Sequence, residues 1–375
     1  MAAELNGARR VGAESGRWYS LLDAPAGRSA AFQESVEKAG RLLVGRKPYD
    51  CAACGKVIAA GTEHWAGSSE RVHANCPRPT TEPTVKHALA LGLYPSVSSI
   101  NNLRVKAELH AHRELEIAER AVLLGANPPA GADPRVDAHS LAMLARDAYA
   151  NEITAMGDAG TEAHAAIARF YERGEVAEDW RELIIEHDRW ESETLGREPG
   201  HRGWCEVPVA LPALGYAGTI DRVVPLANGR GAALIDHKSK DFGKNEAYFA
   251  RVNTERTEKG LAPVPFHFRP WTTEGMQIAA YHRTLVSPGA VVGQADRHAE
   301  LRTLLATRPA VYCFQHYFGR GTQRRWVLDW QETRFDKGVE SHPYHDGLPR
   351  YLRLFDSYRR TWFEENNYNP PGLEA

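Results

Sequence analysis

The stretch GYAGTIDRVVPLANGRGAALIDHKSK, residues 215–240, decides how this chain is read. Asn228-Gly229 and Gly231 separate two apolar runs, which predicts two strands joined by a tight reversal. Side chains alternate along a strand, so Leu234, Asp236 and Lys238 share one face, and Ala233, Ile235 and His237 share the other. If the strands pair, Asp221 approaches Asp236. Two carboxylates about 4 Å apart repel by roughly 4 kcal/mol at an effective dielectric near 20, equivalent to roughly three pH units. Protonation, separation or a cation relieves that repulsion. A hard divalent ion such as Mg²⁺ or Mn²⁺ suits oxygen ligands best. Such an ion activates water and neutralises charge growing on a phosphate. Lys238 is placed to orient that water or to stabilise the developing charge. Taken alone, D-x-K on an edge strand also fits a solvated ion pair worth under about 1 kcal/mol, so the flanking sequence has to discriminate.

Two helical patterns flank the strands. GTEAHAAIARFYERG (160–174) reads as a helix ending near Gly174, with His164, Ile167, Ala168 and Tyr171 on one face. Further on, Gln277 and Tyr281 stand four residues apart in MQIAAYHRTL and stack on one helical face.

The series GTEAH (160–164), GTIDRV (218–223), IDHKSK (235–240) and QIAAY (277–281) resembles the PD-(D/E)XK nuclease superfamily. It is most similar to the RecB-type branch, the mitochondrial genome maintenance exonucleases and their phage relatives. In that branch the order is a helical His, a G-x-x-D strand, a D-x-K strand, then Q-x-x-x-Y on a helix. YPSVSSI (94–100) also resembles a segment that opens the nuclease domain there. The resemblance covers roughly residues 90–375. It implies metal ligands at His164, Asp221, Asp236 and the backbone carbonyl of His237, with Lys238 as the catalytic lysine. Gln277 and Tyr281 would support the site or touch DNA, and Glu206 matches an acidic residue on the strand before G-x-x-D. Ser239 stands where the family usually has Thr, which keeps the hydroxyl. The stretch between Lys240 and Gln277 is long and departs from the family pattern.

A second constellation is Cys51-x2-Cys54-x18-His73-x2-Cys76. Thiolates and imidazole at this spacing suit tetrahedral Zn²⁺, and four protein ligands leave no open position, so the expected ion is structural. CAACGKVIAAG followed by VHANC resembles small zinc fingers of the LIM or PARP type, with His64 as a substitute ligand. So small a module buries little apolar surface, and metal binding would supply its folding energy. Cys205 and Cys313 lie in apolar strand-like runs and read as buried small residues. No cysteine follows Cys313, which excludes the iron–sulfur cluster that some CRISPR-associated relatives need. His110-x-His112 and His342-x2-His345 read as surface residues.

With 375 residues, 43% of them hydrophobic, the chain suffices for one large domain with an appendage, or for two domains. No run of eighteen apolar residues and no signal pattern occurs, so a cytoplasmic protein without membrane contact is expected. The cysteine pattern agrees with a reducing compartment. A formal net charge of −2 is not a nucleic-acid signature by itself, so DNA contact would rest on local basic patches. Candidate patches are Lys238, Lys240 and Lys244; Arg320, Arg324 and Arg325; and Arg350, Arg353, Arg359 and Arg360.

The predicted organisation is an N-terminal extension (1–46) with one helix, AAFQESVEKAGRLL, a zinc-finger-like module (47–80) and a PD-(D/E)XK nuclease domain (84–375). Strands are expected near 203–211, 215–225, 232–238, 310–318 and 325–331. The tail helix carries Tyr351, Phe355, Tyr358 and Trp362 as a core stripe. The fold class is α/β, a restriction-endonuclease-like mixed central β-sheet flanked by helices, plus the small zinc-binding module. The expected function is a Mg²⁺- or Mn²⁺-dependent DNA nuclease, exonuclease by family analogy, working on linear or single-stranded ends in repair, recombination or replication, alongside partners of those processes. The alternatives are a structure- or sequence-specific endonuclease and a non-catalytic DNA-binding adaptor. Oligomeric state is not legible.

Overall fold

A computed structural model describes residues 8–11, 18–21, 41–46, 48–51, 56–66, 71–75, 88, 92–126, 138–240, 242–266, 271–294, 297–320, 326–333 and 347–370. The N-terminal part contributes short strands: β1 (Ala8–Val11), β2 (Trp18–Leu21), β3 (Arg41–Val44), β4 (Tyr49–Asp50), β5 (Val57–Ile58), β6 (Glu63–Ala66), β7 (Arg71–His73) and β8 (Tyr94–Pro95). Long helices follow, α1 (Val97–Ala126), α2 (Ala138–Arg173) and α3 (Arg181–Arg189), the last running on into a π-helical turn at Trp190–Leu195. Next come β9 (Trp204–Leu211), β10 (Tyr216–Leu226), β11 (Gly231–Ser239), α4 (Phe242–Glu258), α5 (Thr272–Val286), β12 (Val291–Val292) and α6 (Ala299–Thr307). The chain then runs through β13 (Val311–Arg320), β14 (Trp326–Thr333) and α7 (Gly347–Glu365). Among the described residues no helix is long and apolar enough to cross a membrane.

Five long strands and the two-residue edge strand β12 form one mixed sheet in the order β12-β9-β10-β11-β13-β14. Neighbours are antiparallel except β11 and β13, which run parallel and need the long crossover through α4, α5 and α6. The β10–β11 reversal is built on Asn228 and Gly229, both left-handed with φ of 58° and 70°, the conformation for which Asn-Gly is suited. The predicted strands thus lie close to the observed ones, and the mixed α/β class holds.

One face of the sheet carries the main core. Val207, Val209, Leu211, Tyr216, Ile220, Val223, Ala232, Leu234 and Cys313 pack there against Met276, Ile278 and Ala279 of α5, Phe355 and Trp362 of α7, and Val97 and Ile100 of α1. Tyr351 and Tyr358 pack against the same cluster, so the aromatic stripe of the tail is core, as expected. The other face packs Cys205 and Phe318 under Ala163, Ile167 and Tyr171 of α2, and Val224, Leu226, Ala233, Ile235 and Phe314 against Trp190 and Leu195.

Membership of these two faces exposes an irregularity. On β10, Tyr216 and Ile220 face the main core, yet so does Val223, an odd-numbered position. On β9, Cys205 faces α2 while Val207 faces the main core. Strict alternation therefore slips by one residue on both strands. The slip sits at Glu206, whose φ is +47°, and at Asp221. Asp221 lies between the last β9 pair, Ile220↔Val207, and the first β11 pair, Arg222↔Ile235. This is the geometry of a β-bulge, which re-aims side chains.

One expectation needs correction. The predicted helix over 30–43 is not continuous helix: Arg41–Val44 is a strand paired with Glu63–Ala66, since sheet pairing overrides local helical preference. The rest of that segment lies outside the described residues. The N-terminal extension does not stand apart. β2 pairs with β8, Tyr19 and Trp18 are buried against the body, and the Trp18 ring lies 6.0 Å from that of Trp362. Between Lys240 and Gln277 the chain forms α4, anchored where the Asn253 carboxamide pairs with both backbone groups of Val264.

A left-handed backbone costs a non-glycine residue about 1–3 kcal/mol. Glu206→Gly should therefore be more stable than Glu206→Ala by about 1 kcal/mol, since both lose the carboxylate and only glycine relieves the backbone. Urea denaturation of the two variants measures the difference, and equal stabilities would remove the strain.

Candidate metal centre

The slip gathers ligands from separate elements. One ligand atom each from His164 on α2, Glu206 on β9 and Asp221 on β10 lies within 4.8 Å of the others. His164 Nδ1 is 3.8 Å from Asp221 Oδ1. The second oxygen of Asp221 accepts the backbone N–H of His237 at 2.7 Å, which fixes the carboxylate against β11. His164, Glu206 and Asp221 remain partly or largely solvent-accessible, while Asp236 is buried.

Close backbone approach makes the convergence feasible. A Cβ placed at Gly160 would stand 2.8 Å from Ser239 Oγ, so glycine lets α2 settle onto the end of β11 one turn before His164. Any side chain at Gly218 would overlap the Tyr281 ring. The glycines of GTEAH and GTID therefore have steric reasons to be there. Tyr281 is buried, and Gln277 Nε2 donates to its hydroxyl at 3.4 Å, so that pair meets across one helical turn. Thr219, between Gly218 and Asp221, hydrogen-bonds the Tyr19 hydroxyl at 2.7 Å.

Asp236 and Lys238 point to the same side of β11, as alternation requires. Lys238 Nζ donates to Asp236 Oδ1 at 2.8 Å. Asp236 Oδ2 is buried and has no hydrogen-bond partner among the described residues. Burial pushes the Asp236 carboxyl up to about 7, with Lys238 pulling it down and Asp221 pushing it further up. Burial opposes the Lys238 ammonium, but Asp236, Asp221 and Glu274 outweigh it and hold its pKa above the ordinary lysine value. Lys238 is therefore a cation.

Sequence reasoning did not single out Glu274. Its Oε1 accepts Lys240 Nζ at 2.5 Å, and its Oε2 accepts the Tyr317 hydroxyl at 3.4 Å and the backbone N–H of Trp271 at 2.9 Å. Lys240, expected in a DNA-facing patch, is mostly enclosed by this contact, and burial lowers its pKa despite Glu274. Arg359 is likewise buried, donating to the Leu214 carbonyl at 2.9 Å, and leaves the proposed C-terminal patch. Arg350, Arg353 and Arg360 are exposed. Arg324 and Arg325 lie outside the described residues, as do His342 and His345.

Of the four expected zinc ligands, Cys51 and His73 are described; Cys54 and Cys76 lie outside the described residues. Cys51 is buried with Ile58 and Val72, and its Sγ accepts the backbone N–H of His73 at 3.4 Å. The His73 ring Nε2 lies 3.3 Å from the Val57 carbonyl, and among the described residues no metal-ligand group includes Cys51 or His73. His64, the alternative ligand, is the cross-strand partner of His73. Cys205 and Cys313 are buried, as expected.

Compared with models of known protein families, the chain matches none, and comparison with curated proteins gives no match either.

The raised Asp236 pKa has a consequence for stability without divalent ions. Below about pH 4 the carboxyl is protonated in folded and unfolded chains alike, and it contributes nothing. Between about 4 and 7 only the unfolded chain ionises, so stability falls as pH rises, with the full penalty above 7. Asp236→Asn should match the wild type in melting temperature near pH 4 and exceed it near pH 8, both in chelator. Calorimetry at the two pH values checks this; equal melting temperatures near pH 8 would count against it.

Proposed function

We propose that this chain is a divalent-metal-dependent DNA nuclease of the PD-(D/E)XK kind. The observation that carries the reading is the meeting of His164, Glu206 and Asp221, with Asp221 acting electrostatically on a buried Asp236 whose Oδ2 has no partner among the described residues. An imidazole and two acids form a donor set for one hard cation with a nitrogen ligand, and Asp236, which lies outside that group, offers an orphaned carboxylate oxygen. His164, Glu206, Asp221 and Asp236 would hold Mg²⁺ or Mn²⁺, with the His237 carbonyl as a further ligand. When bound, the ion supplies Lewis acidity at the phosphate and polarises the attacking water.

The chain's own residues divide the remaining work. Lys238, tied to Asp236 at 2.8 Å, is placed to orient the attacking water or to stabilise charge on the phosphate. Asp221, fixed by the His237 N–H, keeps its other oxygen toward His164. Gln277 and Tyr281 brace the strand through the contact at Gly218. The Zn²⁺ module built on Cys51, Cys54, His73 and Cys76 is structural and sits outside the hydrolytic centre. We favour exonuclease action on DNA ends, in repair, recombination or replication-end processing.

End-labelled linear DNA and covalently closed circles, each with Mg²⁺ or Mn²⁺ or chelator, test the proposal. We expect metal-dependent loss of linear DNA, sparing of circles and no turnover by Asp236→Ala. Lys238→Met should slow cleavage by about 100- to 1,000-fold while leaving DNA binding intact. Cutting of circles would replace the exonuclease reading with an endonuclease, and binding without metal-dependent cleavage would refute the hydrolytic assignment.

A further inference from the structure

Three histidines on the sheet face turned away from Asp236 and Lys238 form a second cluster, whose rings the hydrolytic reading does not use. His187 on α3, His237 on β11 and His316 on β13 are each 2% exposed or less. One ring nitrogen from each lies within 4.8 Å of the other two. Strand register accounts for two of them: His237 and His316 are direct partners in the parallel ladder, so both rings project to the same side. Their centroids are 5.4 Å apart, and the His187 ring lies 4.9 Å from His237 and 4.7 Å from His316.

The hydrogen bonding of the cluster is incomplete. Both ring nitrogens of His237, both of His316 and Nε2 of His187 are buried with no partner among the described residues. Buried polar atoms are almost always paired, and apolar rings would fill this space without orphaned nitrogens. His187 Nδ1 is different: it hydrogen-bonds the Tyr171 hydroxyl at 3.0 Å. One nitrogen oriented by an outer hydrogen-bond partner and the other left unpaired is the arrangement of a metal-binding histidine.

We propose that His187, His237 and His316 together bind one buried transition-metal ion of the Zn²⁺ or Co²⁺ type. Imidazole nitrogens select such ions over Mg²⁺, which seeks oxygen. Glu191 is the nearby carboxylate, with Oε1 3.7 Å from His187 Nδ1. Arg222 engages both of its oxygens and Arg197 donates to Oε2 at 3.0 Å, so Glu191 is committed elsewhere. The three imidazoles leave one position for a small ligand such as water. An ion here ties α3 to β11 and β13. It also steadies His237, whose backbone N–H holds Asp221. This last consequence bears on the hydrolytic centre; the ion site itself does not depend on the nuclease reading.

The test uses full-length protein stripped by chelator under reducing conditions and titrated with Co²⁺ in excess Mg²⁺, which occupies oxygen-rich sites. A Cys51→Ser background disables the zinc module. In that background we expect one Co²⁺ per chain, with ligand-field bands and no sulfur-to-cobalt charge-transfer band. His316→Phe should weaken binding by about 100-fold or more, and Tyr171→Phe by about tenfold. No Co²⁺ uptake in the Cys51→Ser protein overturns the proposal, as does equal uptake by a folded His316→Phe. Should His316→Phe fail to fold, Tyr171→Phe decides: unchanged Co²⁺ affinity rejects the site. Because the readout is metal stoichiometry and absorption, a protein that cuts no DNA can still pass.

Discussion

The shared one-residue slip at Glu206 and Asp221 governs the arrangement around it. Counted from Ile220, position 221 belongs with the α2 side of the sheet; counted from Arg222, it belongs with the opposite side. Asp221 therefore sits where two registers meet. Its carboxylate spans both environments, one oxygen toward His164 of α2 and the other held by the β11 backbone. Glu206 occupies the matching place on β9, in a left-handed conformation that an unbulged strand would not impose.

Arg222 shows why the charge of Asp221 is not cancelled by its neighbour. The guanidinium turns to the other face, engages Glu191 from two nitrogens, donates to Cys205 Sγ and the Arg202 carbonyl, and lies 3.3 Å over the Tyr171 ring. Arg197 closes the same group, bridging Glu191 and Asp188. This buried network is electrically self-contained, and removing one partner from such a group is far more costly than the group is stabilising. Arg222 is thus committed away from Asp221, whose carboxylate meets His164 and the His237 N–H instead.

What could be read from the sequence was local. Period-2 alternation placed Asp236 and Lys238 together on one side and His237 on the other, and Asn228-Gly229 announced the reversal. Helical spacing put Gln277 against Tyr281 and buried Phe355 and Trp362. Contacts across long separations were not legible. Lys240 looks like a surface cation until Glu274 meets it through the crossover, and Arg359 looks exposed until the Leu214 carbonyl reaches it. Glu206 carries no residue-type signal for its positive φ, because a left-handed glutamate is imposed by the neighbouring strands. His187 and His316 gave no motif; only the parallel pairing of β11 with β13 and the docking of α3 join them.

The contact between Gly160 and Ser239 acts as a spacer for the whole helix. Gly160 and His164 lie on the same stripe of α2, one turn apart, so the height of the imidazole above the strands is set where helix backbone meets a serine hydroxyl. An added methyl at Gly160 would meet the exposed Ser239 hydroxyl, which would have to turn aside. The placement of the His164 imidazole is thus tied to a backbone contact one helical turn away.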